Sequence, residues 1–246
     1  MYKHGYNLKK QNPFSKYRGI IRKKGLHYFM KKCAYVYLFP PYWRYFKKNK
    51  KFAFKDETLY YFYHPYNHAY INERTIEIPL ILSFIRKYTF GAKILEIGNV
   101  LSHYIETDWD ILDKFEEQDN VINKDIVDFK PAEKYDLIVS ISTMEHVGFD
   151  EAVKDNKKIL ASILHIKKNC LKKEGKFVFT VPIGWNKNLD NILKRDAIDF
   201  SEVYYFKRIS WNNDWRLSAK GDVLKTKFAK PCIGANGIVL GVVSDE

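Results

Sequence analysis

From Ala92 to the end of the chain, short apolar runs alternate with helical or polar stretches, and this alternation constrains the fold more than any other feature. Strands that are apolar on both faces are typical of a parallel sheet with helices on either side. The runs that we interpret as strands are AKILEIG, DWDILDKFE, VINKDIVDF, YDLIVSIS, GKFVFTVP, EVYYFKRIS and GIVLGVV, with a helix over about residues 150–171 before the fifth run. The pattern predicts a doubly wound, Rossmann-like α/β fold with a seven-strand sheet, mostly parallel with an antiparallel last strand.

Two segments precede this sheet and differ from it in composition. KFAFKDETLYYFYH has two aromatic runs around a polar turn, which predicts a hairpin. NERTIEIPLILSFIRKYTFG has Asn72 as a candidate N-cap and Gly91 at its end, which predicts a helix. We therefore divide the chain into a basic, aromatic-rich extension (1–50), a hairpin or lid-like segment (51–71) and an α/β domain (72–246).

The positive charge is concentrated at the N-terminus. The formal net charge is +13, yet residues 1–55 contain 16 of the 42 Lys and Arg and no Asp or Glu. The remainder has 26 basic and 29 acidic side chains, so it is close to neutral. A basic arm interleaved with Tyr, Phe and Trp fits RNA or an anionic membrane surface, and it also fits an arm packed on its own domain. We favour the membrane surface, because the aromatic residues of CAYVYLFPPYWRYFKKNKK precede its charges.

The cysteine pattern and the hydropathy favour a cytoplasmic protein. The three cysteines are far apart and form no CxxC motif, which is typical of reduced structural thiols. The longest apolar run is shorter than the roughly 20 residues that span a bilayer. We expect a cytoplasmic location, with the basic arm as a means of peripheral attachment to the inner face of the membrane.

Polar residues stand at the predicted carboxyl ends of the strands, where doubly wound sheets bind ligands. Glu96, Gly98 and Asn99 stand at the end of the first strand, and Asp113 and Glu116 at the end of the second. Asp125 and Ile126 fall in the third run, and Ser142 and His146 follow the fourth. Carboxylates in these places suit the donors of a ribose and of an exocyclic amine. No GxGxxG or GxxxxGK[ST] loop is present to bind phosphates, so a ligand with adenosine but no pyrophosphate is preferred.

The first of these loops, LEIGNVLSHY, is unusual because it has one glycine. Val100 and Ser102 stand where two further glycines are usually expected. Without them the backbone comes less close to a ligand, unless the loop takes a different form.

At these residues the chain resembles the class I S-adenosylmethionine-dependent methyltransferases. The resemblance extends from about Asn72 to the C-terminus and rests on ILEIGN, YDLIVSISTMEHVG and LKKEGKFVFTVP. It implies S-adenosyl-L-methionine as cofactor, with Glu96 and Gly98 near its methionine part. It also implies that Asp113 or Glu116 binds the ribose hydroxyls. By the same resemblance, Asp125 accepts a hydrogen bond from the adenine amine, and the Ile126 N–H reaches a ring nitrogen.

Two further side chains are candidates on simpler grounds. A helix that turns directly into the first strand must begin beside the cofactor loop, so Arg74 is placed to pair with the cofactor carboxylate. The alternative is an i,i+3 pair with Glu77 on an exposed face. His146 is a candidate general base or acceptor contact, although a lone histidine is more often structural. Trp185, Trp211 and Trp215 are interpreted as packing residues.

The predicted function is methyl transfer from S-adenosylmethionine to an oxygen or nitrogen of a small-molecule, glycan or lipid-linked acceptor, without a metal. The alternatives are an RNA-directed methyltransferase and a non-catalytic Rossmann-like adaptor that acts through its basic arm. The sequence leaves the oligomeric state open.

Overall fold

The computed structural model describes residues 18, 21–22, 25–88 and 91–244, so most of the predicted extension up to residue 24 lies outside the described residues. The chain divides into two compact units between Phe46 and Lys47. The first unit contains helix α1 (Leu26–Tyr42), and a π-helical turn (Trp43–Lys47) follows it. Within the described residues, no helix is long and apolar enough to cross a membrane.

The prolines of the first unit mark the end of α1. Pro40 and Pro41 lie inside its last turn, and the helix ends one residue beyond them. Because a proline lacks the N–H that the helix requires, we expect a helix to end before Pro40. In the structure the break comes just after the pair, where the wider π-helical turn begins.

The second unit is built on an eight-stranded sheet with the order β5-β4-β3-β6-β7-β10-β8-β9. Its strands are β3 (Ile94–Ile97), β4 (Asp110–Asp113), β5 (Val121–Asn123), β6 (Tyr135–Ile141), β7 (Leu171–Pro182), β8 (Glu202–Arg208), β9 (Trp215–Leu217) and β10 (Gly237–Ser244). Strands β3 to β7 pair in parallel, and β10 lies antiparallel between β7 and β8. The predicted fold class and the antiparallel last strand are confirmed. The seven-strand count is wrong, because β9 is only three residues long and its sequence has no strand pattern.

The order of the strands creates a crevice at one edge of the sheet. From β3 the chain proceeds to β4 and β5 on one side, and it then crosses over to β6 and β7 on the other. Strand β3 pairs with both β4 and β6, so it lies in the interior of the sheet as predicted. At such a switch point the loops after β3 and β6 diverge, which leaves room for a ligand beyond their carboxyl ends.

Helix α2 (Arg74–Ile85) precedes β3 and is covered on two sides. It contacts β6 and β7 of the sheet and also β2 of a hairpin. The hairpin, β1 (Lys51–Phe54) and β2 (Glu57–Tyr60), occurs where the sequence predicts one, with the two-residue turn Lys55–Asp56. The ring of Phe54 lies 6.1 Å from that of Phe84 and 5.9 Å from that of Phe206, so the hairpin packs on both α2 and the sheet.

The helix predicted over residues 150–171 is shorter than expected. Helix α3 spans Lys158–His165 and continues as a π-helical turn, Ile166–Cys170. The preceding residues instead form a compact loop, in which the Asp155 N–H donates to the Gly148 carbonyl at 2.8 Å. Gly148 adopts a positive φ of 72°, which favours this turn over a helix. Two short helices complete the unit, α4 (Lys187–Lys194) and α5 (Lys220–Val223).

Candidate functional site

A cavity of about 230 Å³ lies at the switch point, at the carboxyl ends of β3, β4, β5 and β6. We call it the switch-point cavity. It is lined by Ile97, Gly98, Leu112, Asp113, Lys114, Phe115, Lys124, Asp125, Ile126, Thr143, His146, Val147 and Glu151. Five of the ten residues predicted for the site line it, namely Gly98, Asp113, Asp125, Ile126 and His146. The other five lie behind or beside it.

The loop after β3 requires only one glycine. Gly98 has a φ of 84°, and a Cβ there would lie 2.1 Å from the Thr143 hydroxyl oxygen. Val100 has an ordinary φ of −109°, and Leu101–His103 form a right-handed 3-10 turn. Side chains at positions 100 and 102 are therefore compatible with the backbone, because the chain has already turned at Gly98.

Glu96 shapes this loop from behind and does not line the cavity. Its side chain is fully buried. Its Oε1 accepts the N–H groups of Val100 at 2.9 Å and Leu101 at 2.8 Å, and its Oε2 accepts the Trp109 indole N–H at 3.3 Å. Both oxygens of Glu96 thus bind the protein, and its predicted contact with the methionine part of a cofactor stays a prediction. Burial raises the pKa of Glu96 to about 7, although these hydrogen bonds oppose the shift.

Asp113 and Glu116 were equal candidates for a ribose contact, and only Asp113 lines the cavity. Asp113 Oδ1 accepts the N–H groups of Phe115 at 2.7 Å and Glu116 at 2.9 Å, which folds the loop after β4 into a tight turn. Its Oδ2 accepts the Asn99 N–H at 3.3 Å. Glu116 Oε2 instead accepts the Asn99 amide at 2.6 Å. Asn99 and Glu116 therefore form a pair beside the cavity, and their predicted contacts with the cofactor stay predictions.

Asp125 follows β5 and does not lie within it, and its carboxylate belongs to an ion-pair network. Asp125 Oδ2 lies 2.8 Å from Lys114 Nζ and 2.5 Å from Lys158 Nζ. Glu151 contacts the same two lysines, at 3.1 Å and 2.6 Å. Partial burial would raise the pKa of Asp125, but the hydrogen bonds from Lys114 and Lys158 hold it below its ordinary value. Asp125 is thus shared by two lysines, and an adenine amine would have to compete with them for it.

A buried polar cluster lies between the start of α2 and the loop after β6. Arg74 pairs with Glu77, as in the second alternative, but Glu77 is fully buried and not on an exposed face. The Ser142 hydroxyl donates to Glu77 Oε1 at 2.6 Å. Arg74 and Ser142 therefore both contact Glu77, and neither lines the cavity, so their predicted contacts with the cofactor stay predictions. Ser142 adopts a positive φ of 40°, so the backbone turns sharply where β6 ends.

Glu145 stands out in this cluster because one of its oxygens is unsatisfied. Its side chain is buried, and Oε2 has no hydrogen-bond partner among the described residues. Burial raises the pKa of Glu145 well above its ordinary value, and the neighbouring charge of Glu77 adds to this effect. A carboxyl that is protonated near neutral pH removes the cost of an unpaired buried charge.

His146 is the titratable side chain best placed to act in the cavity. It lines the cavity, and its side chain is 41% exposed. Its Nδ1 is hydrogen-bonded to Asp150, which favours the tautomer with the proton on Nδ1 and a free electron pair on Nε2. The Nε2 atom lies 3.6 Å from Glu145 Oε1. The ring also meets Trp185 edge-on, with the centroids 5.6 Å apart.

Two functional candidates were missed or misread from the sequence. Phe115 lines the cavity although it is 70% exposed, and the Lys114 ammonium lies 5.5 Å from the centroid of its ring. Its signal in the sequence is an aromatic residue within the charged run DKFEEQD after a strand. Trp185, interpreted as a packing residue, is 40% exposed and lies against the His146 ring.

Solved structures similar to this chain include several methyltransferases. The N-methyltransferase NodS from Bradyrhizobium japonicum, in complex with S-adenosyl-L-homocysteine, is 14% identical, with 69% of this chain and 85% of NodS covered at a TM-score of 0.44. A TehB-like SAM-dependent methyltransferase from Corynebacterium glutamicum is 18% identical over 66% of this chain and 85% of its own, with a TM-score of 0.37. An S-adenosylmethionine-dependent methyltransferase from Clostridium acetobutylicum is 14% identical over 68% and 89%, with a TM-score of 0.36.

These structures carry the activity that the sequence resemblance implies. Neither a protein-family model nor a curated protein sequence matches the chain. Similarity at such low identity and TM-score does not decide what a chain binds. The ligand and the reaction are therefore inferred from the residues of the cavity.

Proposed function

We propose that the protein is an S-adenosylmethionine-dependent methyltransferase whose cofactor binds in the switch-point cavity. The observation that carries this proposal is that Asp113, Phe115 and Ile126 line the same cavity as Gly98. The Asp113 carboxylate would hold the ribose hydroxyls, and the face of Phe115 would stack on the adenine. The close approach of Gly98 to Thr143 leaves no room for a side chain in the loop that borders the methionine part. The residues present therefore fit an adenosine ligand without phosphates.

Binding of the cofactor tests this proposal directly. We expect calorimetry to detect both S-adenosylmethionine and S-adenosylhomocysteine and to give a much weaker response to ATP. Phe115→Ala should lower the affinity about tenfold, because stacking on an aromatic side chain contributes about 1–3 kcal/mol per base. The fold should be unaffected, since Phe115 is 70% exposed.

The matched control is Tyr60→Ala, which removes another exposed aromatic ring from the hairpin. Its affinity for S-adenosylhomocysteine should equal that of the wild type. If the folded wild-type protein binds neither ligand at millimolar concentration, the methyltransferase proposal fails. The non-catalytic adaptor then becomes the leading alternative.

The reaction follows from the cofactor and from the position of His146. The cofactor supplies a methyl group on a positively charged sulfur, and transfer needs an acceptor atom held in line with that bond. His146 Nε2 would take the proton that an oxygen or nitrogen acceptor loses, and Asp150 would hold the imidazole in the tautomer that allows this. The acceptor is a small molecule, a glycan or a lipid-linked group.

Substitution of the His146–Asp150 pair should separate catalysis from binding. For an acceptor that the wild type methylates, we expect His146→Ala to lower kcat about tenfold, since positioning contributes more than proton transfer to such a displacement. Asp150→Asn should lower kcat by less, because the imidazole of His146 would then hold its Nδ1 proton less firmly. Affinity for S-adenosylhomocysteine should be unchanged in Asp150→Asn, since Asp150 does not line the cavity. An unchanged kcat in His146→Ala would leave this histidine as a structural residue.

We further propose that the N-terminal unit attaches the protein to an anionic membrane surface. Its helix exposes apolar side chains, among them Leu26, Met30 and Leu38, in a segment without acidic residues. Each Lys or Arg near an anionic surface contributes about 1 kcal/mol, and apolar contacts make part of the binding resistant to salt. An RNA-directed enzyme is the alternative, and its binding would depend more steeply on salt.

The test compares the full chain with a shortened chain that begins at Lys47, on anionic vesicles and on mixed-sequence RNA across a salt series. The shortened chain keeps Lys47 because this side chain is buried and pairs with Asp214 at 2.6 Å. Vesicle binding should be lost on truncation and should persist in part at moderate salt. A loss of RNA binding alone would favour the RNA-directed alternative.

A further inference from the structure

A second concave surface lies beside the switch-point cavity and is lined mainly by lysines. It encloses about 950 Å³ between α4, α5 and the residues that follow α5. We call it the lysine groove. Its six lysines are Lys187, Lys194, Lys220, Lys225, Lys227 and Lys230. Residues 56–246 taken together are close to electrically neutral. The six lysines of the groove are therefore a local concentration of positive charge.

The positive charge of the groove is largely uncompensated. Lys220 pairs with Asp196, and the other five lysines form no ion pair with any residue that the structure describes. The one acidic side chain in the lining is Asp190, which is buried and accepts the Gly184 N–H at 3.1 Å. Burial raises the pKa of Asp190, and the Gly184 N–H and the charge of Lys194 oppose this shift.

The simplest alternative is that the groove is an ordinary solvated surface. However, hydrogen bonds and close packing hold the backbone of the segment that carries Lys225, Lys227 and Lys230. A Cβ at Gly184 would lie 2.6 Å from the Phe228 amide nitrogen, so the loop after β7 packs directly against this segment. The Asn236 amide donates to the Lys227 carbonyl at 3.1 Å, and the Ala229 N–H donates to the Gly234 carbonyl at 2.8 Å. A fixed backbone keeps the three lysines on the same side of the groove, which lowers the cost of bringing them together around an anion.

The groove is connected to the candidate catalytic residue through a single aromatic ring. Phe228 lines the groove, and its ring lies 4.9 Å from that of Trp185. The Trp185 ring also contacts His146, with the centroids 5.6 Å apart. A small molecule bound along Trp185 could therefore place one end in the groove and the other beside His146.

We propose that the lysine groove binds the phosphate or pyrophosphate group of the methyl acceptor. This inference rests on the proposed methyltransferase function and narrows its substrate to phosphorylated small molecules, whether free or lipid-linked. Lysine ammonium groups bind phosphates as point charges and need no fixed fork geometry. The cofactor carries no phosphate, so the groove and the switch-point cavity serve chemically different ligands.

The test measures the binding of inorganic pyrophosphate to the full-length protein by calorimetry. One variant replaces Lys225, Lys227 and Lys230 together by glutamine. The matched control makes the same change at Lys130, Lys168 and Lys173, which are exposed and lie in or just before the amino ends of β6 and β7. All of these lysines are exposed, so both variants should melt like the wild type.

We expect the groove variant to bind pyrophosphate at least about tenfold more weakly, since three charge-assisted contacts are lost. The control should stay within about twofold of the wild type, because distant exposed charges are screened by salt. Failure of the wild type to bind pyrophosphate would overturn the inference. Equal losses of affinity in both variants would also overturn it, because pyrophosphate binding would then depend on net charge alone. Unchanged binding in the groove variant would do the same, because pyrophosphate would then bind elsewhere, for example at the N-terminal unit.

Affinity for S-adenosylhomocysteine, measured on the same three proteins, separates this inference from the proposed function. It should be equal in all three, since the groove lies outside the switch-point cavity. Cofactor binding without pyrophosphate binding refutes the groove and leaves the methyltransferase proposal intact. Absence of cofactor binding in the wild type refutes the proposed function itself.

Discussion

Gly98→Ala is expected to lower the free energy of unfolding by about 3 kcal/mol and to weaken S-adenosylhomocysteine binding more than tenfold. A positive φ costs a residue with a side chain about 1–2 kcal/mol, and overpacking adds about 1–3 kcal/mol. At Gly98 the new Cβ would lie 2.1 Å from the Thr143 hydroxyl oxygen and 2.8 Å from its Cβ, so rotation of Thr143 alone does not relieve the clash. Chemical denaturation and calorimetry measure the two effects.

Gly91→Ala is the control, because it isolates the backbone cost. Gly91 has a φ of 94°, and no atom of the residues that the structure describes lies within 4 Å of a Cβ built there. This variant should lose only about 1–2 kcal/mol and should keep its affinity for the ligand. If Gly98→Ala and Gly91→Ala are equally stable and bind S-adenosylhomocysteine equally well, the close approach of the loop to Thr143 contributes neither to stability nor to binding.

Glu96 is expected to make the protein less stable as the pH rises from about 4.5 to 7. The pKa of this carboxyl is about 7 in the folded chain, against an ordinary value of 4.5, so the folded state holds its proton more tightly than the unfolded state. The stabilisation is complete below the unfolded value and is lost as the pH rises to the folded value. The corresponding change is about 3 kcal/mol between pH 4.5 and 7.5.

Glu96→Gln separates this contribution from all other titrating groups. Glutamine has no proton to lose, so the stability difference between the variant and the wild type should shift by about 3 kcal/mol in favour of the variant across the same range. The Trp109 N–H loses its carboxylate acceptor in the variant, which adds a cost that is independent of pH. Denaturant melts at pH 5 and pH 8 suffice. Parallel stability profiles would mean that Glu96 is ionised throughout.

The features that could be predicted from the sequence are those set by local pattern. The apolar run that became β3 is buried from Leu95 to Ile97, and such a run has few alternatives to an interior strand. The places where polar residues follow strands were also predictable, because the carboxyl ends of parallel strands meet at one edge. Gly98, Asp113 and His146 line the cavity for this reason.

The partners of those residues depend on contacts between distant parts of the chain. Ser142 bonds to Glu77, 65 positions away, and Lys158 bonds to Asp125, 33 positions away. No local pattern shows that a carboxylate is already occupied by such a partner. The sequence therefore indicates which residues come near the site, but it does not separate residues that line the cavity, such as Asp113, from residues behind it, such as Glu96.

The loop after β3 also bears on how such loops are recognised. One glycine makes the turn, and a carboxylate from the preceding strand then holds the amide groups of Val100 and Leu101. Positions 100 and 102 therefore do not require glycine for the turn to form. A buried carboxylate two positions before a single glycine is thus a second way to build a tight turn after a parallel strand, and a search for repeated glycines alone does not find it.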